Sequence, residues 1–194
     1  MAKRASHNTR RRWLEALESR TLLSSGVGVY SPDTATWALR STASPGEADV
    51  GTFQFGIPTP VVGDWNGDGR DDIGSFDRKT ATWSLHYGAS EGLPDAGVFL
   101  FGKVGALPVV GDWNGDGRDD IGTFDPASAT WSLRLGASGG PATGGTFKFG
   151  VKGTLPLVGD WDGDGKDGIG TFTKDKLTWN LRQTATVETT IRFR

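Results

Sequence analysis

The chain contains no cysteine and a single methionine. The first absence excludes a disulfide framework and a thiol nucleophile. It leaves an extracellular setting open, because bound metal can stabilise a fold there instead. No stretch reaches the roughly 18 apolar residues of a membrane span. The two histidines, His7 and His86, lie far apart, which argues against a zinc site. No Ser/His/Asp set is visible, and His86 stands alone on a polar strand face, where it is expected to be solvated. An ordinary secretory signal is missing as well. Trp13-Leu14-Glu15-Ala16-Leu17-Glu18 is broken by acids where an apolar run of about 7–15 residues belongs.

What is present is glycine and aromatic rings. The 194 residues include 30 Gly, 8 Trp and 10 Phe, a composition of short strands and tight turns rather than long helices. The net charge of −2 is unevenly divided. Lys3, Arg4, Arg10, Arg11, Arg12 and Arg20 face only Glu15 and Glu18 in the first twenty residues, so the remainder is acidic. That remainder has no basic stripe, and nucleic acid is not expected as a partner. The basic segment reads instead as a targeting or tethering element.

Self-similarity dictates the architecture. Val-Gly-Asp-Trp recurs with its aspartates at 64, 112 and 160, a spacing of 48. The tryptophans of the Thr-Trp pairs, Trp83, Trp131 and Trp179, share that spacing, and Trp37 lies 46 before Trp83. Each period holds four short extended runs. In one copy they are Pro108–Trp113, Asp120–Asp125, Ala129–Leu135 and Gly145–Phe149. Alternation places Trp131, Leu133 and Leu135 on one face of the third run, with Thr130, Ser132 and Arg134 on the other. Four strands per unit of this length is a propeller blade. The expected fold is all-β, a propeller-like array of about four antiparallel blades, either a small closed ring or an open stack. The repeats run about 27–56, 57–102, 103–150 and 151–194, with residues 1–25 outside the fold. The Trp and Phe stripes are expected to pack blade against blade. The first copy shows only three runs, Val27–Tyr30, Thr36–Arg40 and Thr52–Phe55, with Thr21-Leu22-Leu23-Ser24 as a possible substitute for the fourth. The last copy ends on Thr189–Phe193.

One acidic loop follows the first strand of three copies. It reads Asp64-Trp65-Asn66-Gly67-Asp68-Gly69-Arg70-Asp71-Asp72, then Asp112-Trp113-Asn114-Gly115-Asp116-Gly117-Arg118-Asp119-Asp120, then Asp160-Trp161-Asp162-Gly163-Asp164-Gly165-Lys166-Asp167-Gly168. Oxygens at positions 1, 3 and 5 of a curled loop converge on one centre, and the carbonyl of position 7 can join them. Glycines at positions 4 and 6 permit the left-handed turns of the curl. The candidate ligands are therefore Asp64, Asn66, Asp68, Arg70 (carbonyl) and Asp72, then Asp112, Asn114, Asp116, Arg118 (carbonyl) and Asp120. In the third copy they are Asp160, Asp162, Asp164 and Lys166 (carbonyl). An all-oxygen, flexible donor set suits Ca²⁺. The third loop has Gly168 at position 9 and one ligand fewer, while its Asp167 sits one position early and points elsewhere. The loop is not an EF-hand, which wants Glu at position 12, where this chain has Ser75, Thr123 and Thr171. The alternative is a metal-free acidic hairpin, in which the converging carboxylates would repel one another.

These residues carry a resemblance. Asp-x-Asn/Asp-x-Asp-Gly-x-x-Asp followed by Ile-Gly resembles the Ca²⁺ loop of FG-GAP repeats, the blades of integrin α-chain propellers. The longer unit Pro-Val-Val-Gly-Asp-Trp…Asp-Ile-Gly…Thr-Trp…Phe-x-Phe-Gly is similar to FG-GAP-like or VCBS-type repeats of secreted and cell-surface proteins. The segment Arg12–Ser24 resembles the Leu-Glu-x-Leu-Glu-x-Arg-x-Leu-Leu sorting segment of exported planctomycete proteins. Together they imply an extracellular or cell-surface Ca²⁺-binding module for adhesion or recognition, with a surface protein or polysaccharide as partner. It would be a monomer, or self-associating if the ring is open. A carbohydrate-binding module is the alternative, with Tyr87 and Arg134 as contacts. Carboxylate-based hydrolysis is the weakest reading, since the loop acids recur from blade to blade in three copies instead of meeting at one site.

Overall fold

The computed structural model describes residues 26–56 and 58–185, together with the backbone of 190–192. The segment 1–25, with the sorting segment and Thr21–Ser24, lies outside the described residues, and so does Phe193. The described chain is all-β: four antiparallel sheets, each with its strands in sequence order. The first sheet has β1 (Val27–Ser31), β2 (Thr36–Arg40) and β3 (Gly51–Gln54). The second has β4 (Thr59–Gly63), β5 (Asp72–Asp77), β6 (Thr82–His86) and β7 (Gly97–Leu100). The third has β8 (Leu107–Gly111), β9 (Asp120–Asp125), β10 (Thr130–Arg134) and β11 (Gly145–Lys148). The fourth has β12 (Leu155–Gly159), β13 (Gly168–Thr173), β14 (Thr178–Arg182) and β15 (Thr190–Arg192). No helix among the described residues is long and apolar enough to cross a membrane.

The period of the sequence becomes a period of register. Tyr30 pairs with Trp37, Phe76 with Trp83, Phe124 with Trp131 and Phe172 with Trp179. The rings of these pairs lie 4.9–5.2 Å apart, within the range of favourable aromatic contact. Two positions before each Phe the strand carries glycine. A Cβ on Gly74 would come within 2.5 Å of the Leu85 side chain and 2.7 Å of Val61, so the glycine makes room for the leucine that fills the blade. The hairpin before each Trp turns through a left-handed non-glycine residue: Ala35, Ala81, Ala129 or Leu177. The carbonyls of the three alanines accept the amides of Phe55, Phe101 and Phe149 at 3.0–3.1 Å. Those phenylalanine carbonyls in turn accept the indole N–H of Trp37, Trp83 and Trp131 at 3.0–3.1 Å. One tryptophan thus ties the third strand of a blade to the end of its fourth.

The expected packing of blade on blade is present. Trp37, Phe53 and Phe55 of the first blade bury against Ile73 of the second. Trp83, Phe76 and Leu85 of the second bury against Ile121 of the third. Trp131, Phe124 and Leu133 of the third bury against Ile169 and Ala185 of the fourth. The first strands of the second, third and fourth sheets, β4, β8 and β12, are neighbours in that order. Among the described residues no blade covers the Trp face of the fourth, where Trp179 is 48% exposed. One detail departs from the alternation: β10 ends at Arg134, so Leu135 begins the following loop and is exposed instead of joining the Trp131 face.

Candidate metal centre

The three acidic loops are built alike, and the residue at position 1 organises each of them. The Asp64 carboxylate accepts the amides of Gly67 (2.6 Å), Asp68 (3.2 Å) and Gly69 (2.7 Å). Asp112 accepts those of Gly115 (2.6 Å), Asp116 (3.2 Å) and Gly117 (2.9 Å). Asp160 accepts those of Gly163 (2.7 Å), Asp164 (3.2 Å) and Gly165 (3.0 Å). Wrapping a carboxylate in backbone amides requires the chain to curl, and the glycines at positions 4 and 6 all adopt φ between 76° and 84°. The amides facing Asp160, that of Gly165 first, hold its carboxyl below the usual range. Position 5 faces inward too, with Asp68, Asp116 and Asp164 accepting the position-7 amides at 2.8–3.0 Å.

In the third loop one oxygen each from Asp160, Asp162 and Asp164 lie within 4.8 Å of one another, and all three residues are exposed. In the first two loops Asn takes the place of Asp162. Its Nδ2–H donates to the position-5 carboxylate, from Asn66 to Asp68 at 3.4 Å and from Asn114 to Asp116 at 3.1 Å. In the first loop the Asn66 Oδ1 at the same time accepts the Asp68 amide at 2.8 Å. Three carboxylates are thus gathered in the third loop, and the first two loops repeat its curl with an Asn side chain at position 3.

Position 9 lies behind the loop. Asp72 and Asp120 are each 1% exposed. Asp72 accepts the amides of Trp65 (3.0 Å) and Gly88 (2.5 Å), and Asp120 those of Trp113 (3.1 Å) and Gly136 (2.5 Å). Burial pushes the Asp72 carboxyl up and that of Asp120 to about 6. In both, the position-1 and position-5 acids of the same loop add to the rise. Asp120 also lies 3.5 Å from Asn114 Nδ2, so it borders the position-3 side chain. At Gly168 a Cβ would meet the Arg182 carbonyl at 2.2 Å and the Trp161 ring at 2.6 Å, so the third loop has no room for the equivalent carboxylate. Trp161 is correspondingly less buried than Trp65 and Trp113 and its indole N–H has no partner among the described residues, whereas theirs bond the carbonyls of Ile73 and Ile121.

Position 8 carries a role that single-repeat reasoning missed. Asp119 receives the Asp64 amide at 2.7 Å and returns its own amide to the Asp64 carbonyl at 2.8 Å. Asp167 makes the same pair with Asp112, at 2.9 and 2.8 Å. Each aspartate therefore points away from its own loop and clamps the preceding one. Burial pushes Asp119 up to about 6 and raises Asp167 as well. Asp71 has no preceding loop to clamp among the described residues and is exposed. The side chains of Arg118 and Lys166 lie over Gly67 and Gly115 of the preceding loops, so the three loops form one continuous row. Recurrence of Asp at 71, 119 and 167 was the available signal.

His86 corrects an expectation: it is 6% exposed rather than solvated. Nδ1 lies 2.8 Å from the Leu93 carbonyl and from Asp95, and Nε2 lies 3.1 Å from Ser90 Oγ. The pattern is shared by the residues at the same place in other blades. Arg40 donates to the Glu47 carbonyl (2.5 Å) and Ser44 Oγ (3.2 Å), and Arg134 to the Pro141 carbonyl (2.6 Å) and Ser138 Oγ (3.0 Å). Each binds a carbonyl seven residues on and a hydroxyl four residues on. His86 and Arg134 therefore hold their own long hairpin loops. Tyr87 remains exposed and borders a cavity of about 420 Å³ lined also by Asn114, Asp116 and Arg118.

The geometry defines a repeated, loop-bearing all-β array. No family model, no curated protein and no solved structure matches the chain.

Proposed function

We propose that the protein is a Ca²⁺-stabilised binding module of the cell surface or extracellular space, used for adhesion or recognition and not for catalysis. The observation that carries this reading is the recurrence, three times in one row, of a loop curled around its position-1 carboxylate, with the acids of positions 1, 3 and 5 meeting in the third loop. The first two loops would bind through Asp64, Asn66, Asp68 and the Arg70 carbonyl, and through Asp112, Asn114, Asp116 and the Arg118 carbonyl. Asp72 and Asp120 would back them. The third would bind through Asp160, Asp162, Asp164 and the Lys166 carbonyl. An ion in each loop would neutralise acids that the fold already crowds together. The first strand of each complete blade would then be locked to the second, leaving the loop row as a rigid edge for a surface protein or polysaccharide. The saccharide reading alone has less support, because Arg134 is engaged by its own hairpin.

A ligand that binds only the folded state stabilises it in proportion to the logarithm of its concentration over Kd. Adding EDTA to the Ca²⁺-loaded protein is expected to lower the thermal midpoint, and excess Ca²⁺ to restore it. An unchanged midpoint in differential scanning fluorimetry would refute Ca²⁺ binding at the loops.

A further inference from the structure

The two ends of the array are complementary halves of a junction that the chain builds three times internally. At each junction the Trp face of one blade receives an isoleucine from the second strand of the next. Ile73, Ile121 and Ile169 are 2%, 0% and 0% exposed in those positions. An alanine from the loop after the third strand joins each of them: Ala89, Ala137 and Ala185. The register identifies the corresponding residues of the first blade. Ile73 pairs with His86, Ile121 with Arg134 and Ile169 with Arg182, while Val27 pairs with Arg40. The alanines lie three residues beyond His86, Arg134 and Arg182, and three beyond Arg40 is Ala43.

Val27 is 45% exposed and Ala43 is exposed. The first blade thus presents the isoleucine-and-alanine side of the junction, with nothing among the described residues to receive it. The fourth blade presents the receiving half. Trp37, Trp83 and Trp131 are 3%, 0% and 0% exposed, but Trp179 is 48% exposed, beside Leu155 at 38% and Leu177 at 77%. The first blade of the same molecule does not cover that face, since Val27 and Trp179 are both open.

We propose that the Trp179 face of one molecule is covered by the Val27–Ala43 face of a second copy, head to tail. Such a contact is heterologous, so it generates a ring of copies or a growing filament rather than a symmetric dimer. It repeats the isoleucine-and-alanine part of the internal junctions, without the Val110 or Val158 that β8 and β12 add at the second and third junctions and without the loop clamp of those two junctions, because the described first blade has neither that strand nor an acidic loop. The contact between copies is therefore weaker than the two clamped contacts between blades. The inference is independent of the proposed Ca²⁺ function, since no loop oxygen belongs to either face.

The test is sedimentation velocity of the full chain over a range of concentrations, with Trp179→Asp, Val27→Arg and an equimolar mixture of the two. Both residues are exposed, and unchanged far-UV circular dichroism confirms folding of the variants. The wild-type chain is expected to form concentration-dependent oligomers, and each variant alone to stay monomeric. The mixture should stop at a dimer, because one intact half survives on each partner. A wild-type chain that is monomeric at every concentration overturns the proposal. So does association that persists in either variant, or a mixture that remains monomeric.

Discussion

The middle blades and the end blades use the same residues to different effect. Trp131 and Trp179 occupy one place in the repeat, follow the same turn and pair with the same Phe across the hairpin. One is fully buried and the other half exposed. The side chain's contribution is set by the neighbour that covers it and not by its own blade. Asp119 and Asp71 make the same point for a polar residue: identical loops surround them, but only Asp119 has a loop beside it to clamp. In a stack of repeats, position within the unit and position within the array are separate variables.

Substituting the two tryptophans should break the equivalence most visibly. Trp131→Ala is expected to cost about 3–5 kcal/mol, the range for a fully buried ring. Trp179→Ala should cost well under half as much. Urea unfolding midpoints measure both, and equal losses would mean that the fourth blade is covered after all.

The aspartates come next in size. Asp119→Ala and Asp167→Ala each strand a backbone amide of the preceding loop, which costs about 1–3 kcal/mol. Asp71→Ala should stay within about 0.5 kcal/mol, as an exposed substitution does. A comparable loss at all three positions would show that the carboxylate serves its own loop and not the neighbour.

The last effect is that of pH on the metal-free protein. The carboxyls of Asp119 and Asp120 are raised to about 6 in the folded state, above the unfolded value near 3.9. The folded state then binds protons more readily than the unfolded chain. Their contribution is fully present below the unfolded value and fades as pH rises through about 6. In chelator, the urea midpoint should therefore decline between about pH 4 and pH 7. With Ca²⁺ the trend should reverse, because ion binding needs the charged carboxylates. Parallel pH profiles with and without Ca²⁺ would separate the buried acids from the ion.

Much of the fold was legible because it is local. Strand runs, turn glycines and the 48-residue period are carried by residues near one another in sequence, and β9 and β2 have the bounds that alternation indicates. The curl around Asp64, Asp112 and Asp160 was equally readable from the glycines. What stayed hidden depends on other loops and blades. His86 read as a lone polar residue, since its carbonyl and hydroxyl partners lie in a loop of no regular pattern. The position-8 clamp spans 55 residues, and spacing alone does not say which of two adjacent aspartates turns inward. That Gly168 leaves no room for a side chain follows from the Arg182 carbonyl on the next strand, a distance no sequence spells out.

The clamp between loops also bears on how such a chain can change length. Each repeat carries the acceptor that reaches back to its predecessor and the amide that its successor will need. A whole unit inserted between two others brings both halves of both bonds with it, and removing one rejoins matching halves. Duplication or loss by complete periods therefore leaves no orphaned donor along the row, whereas a break at any other point strands one. The array is editable in steps of one repeat, and its grammar is written in a single aspartate.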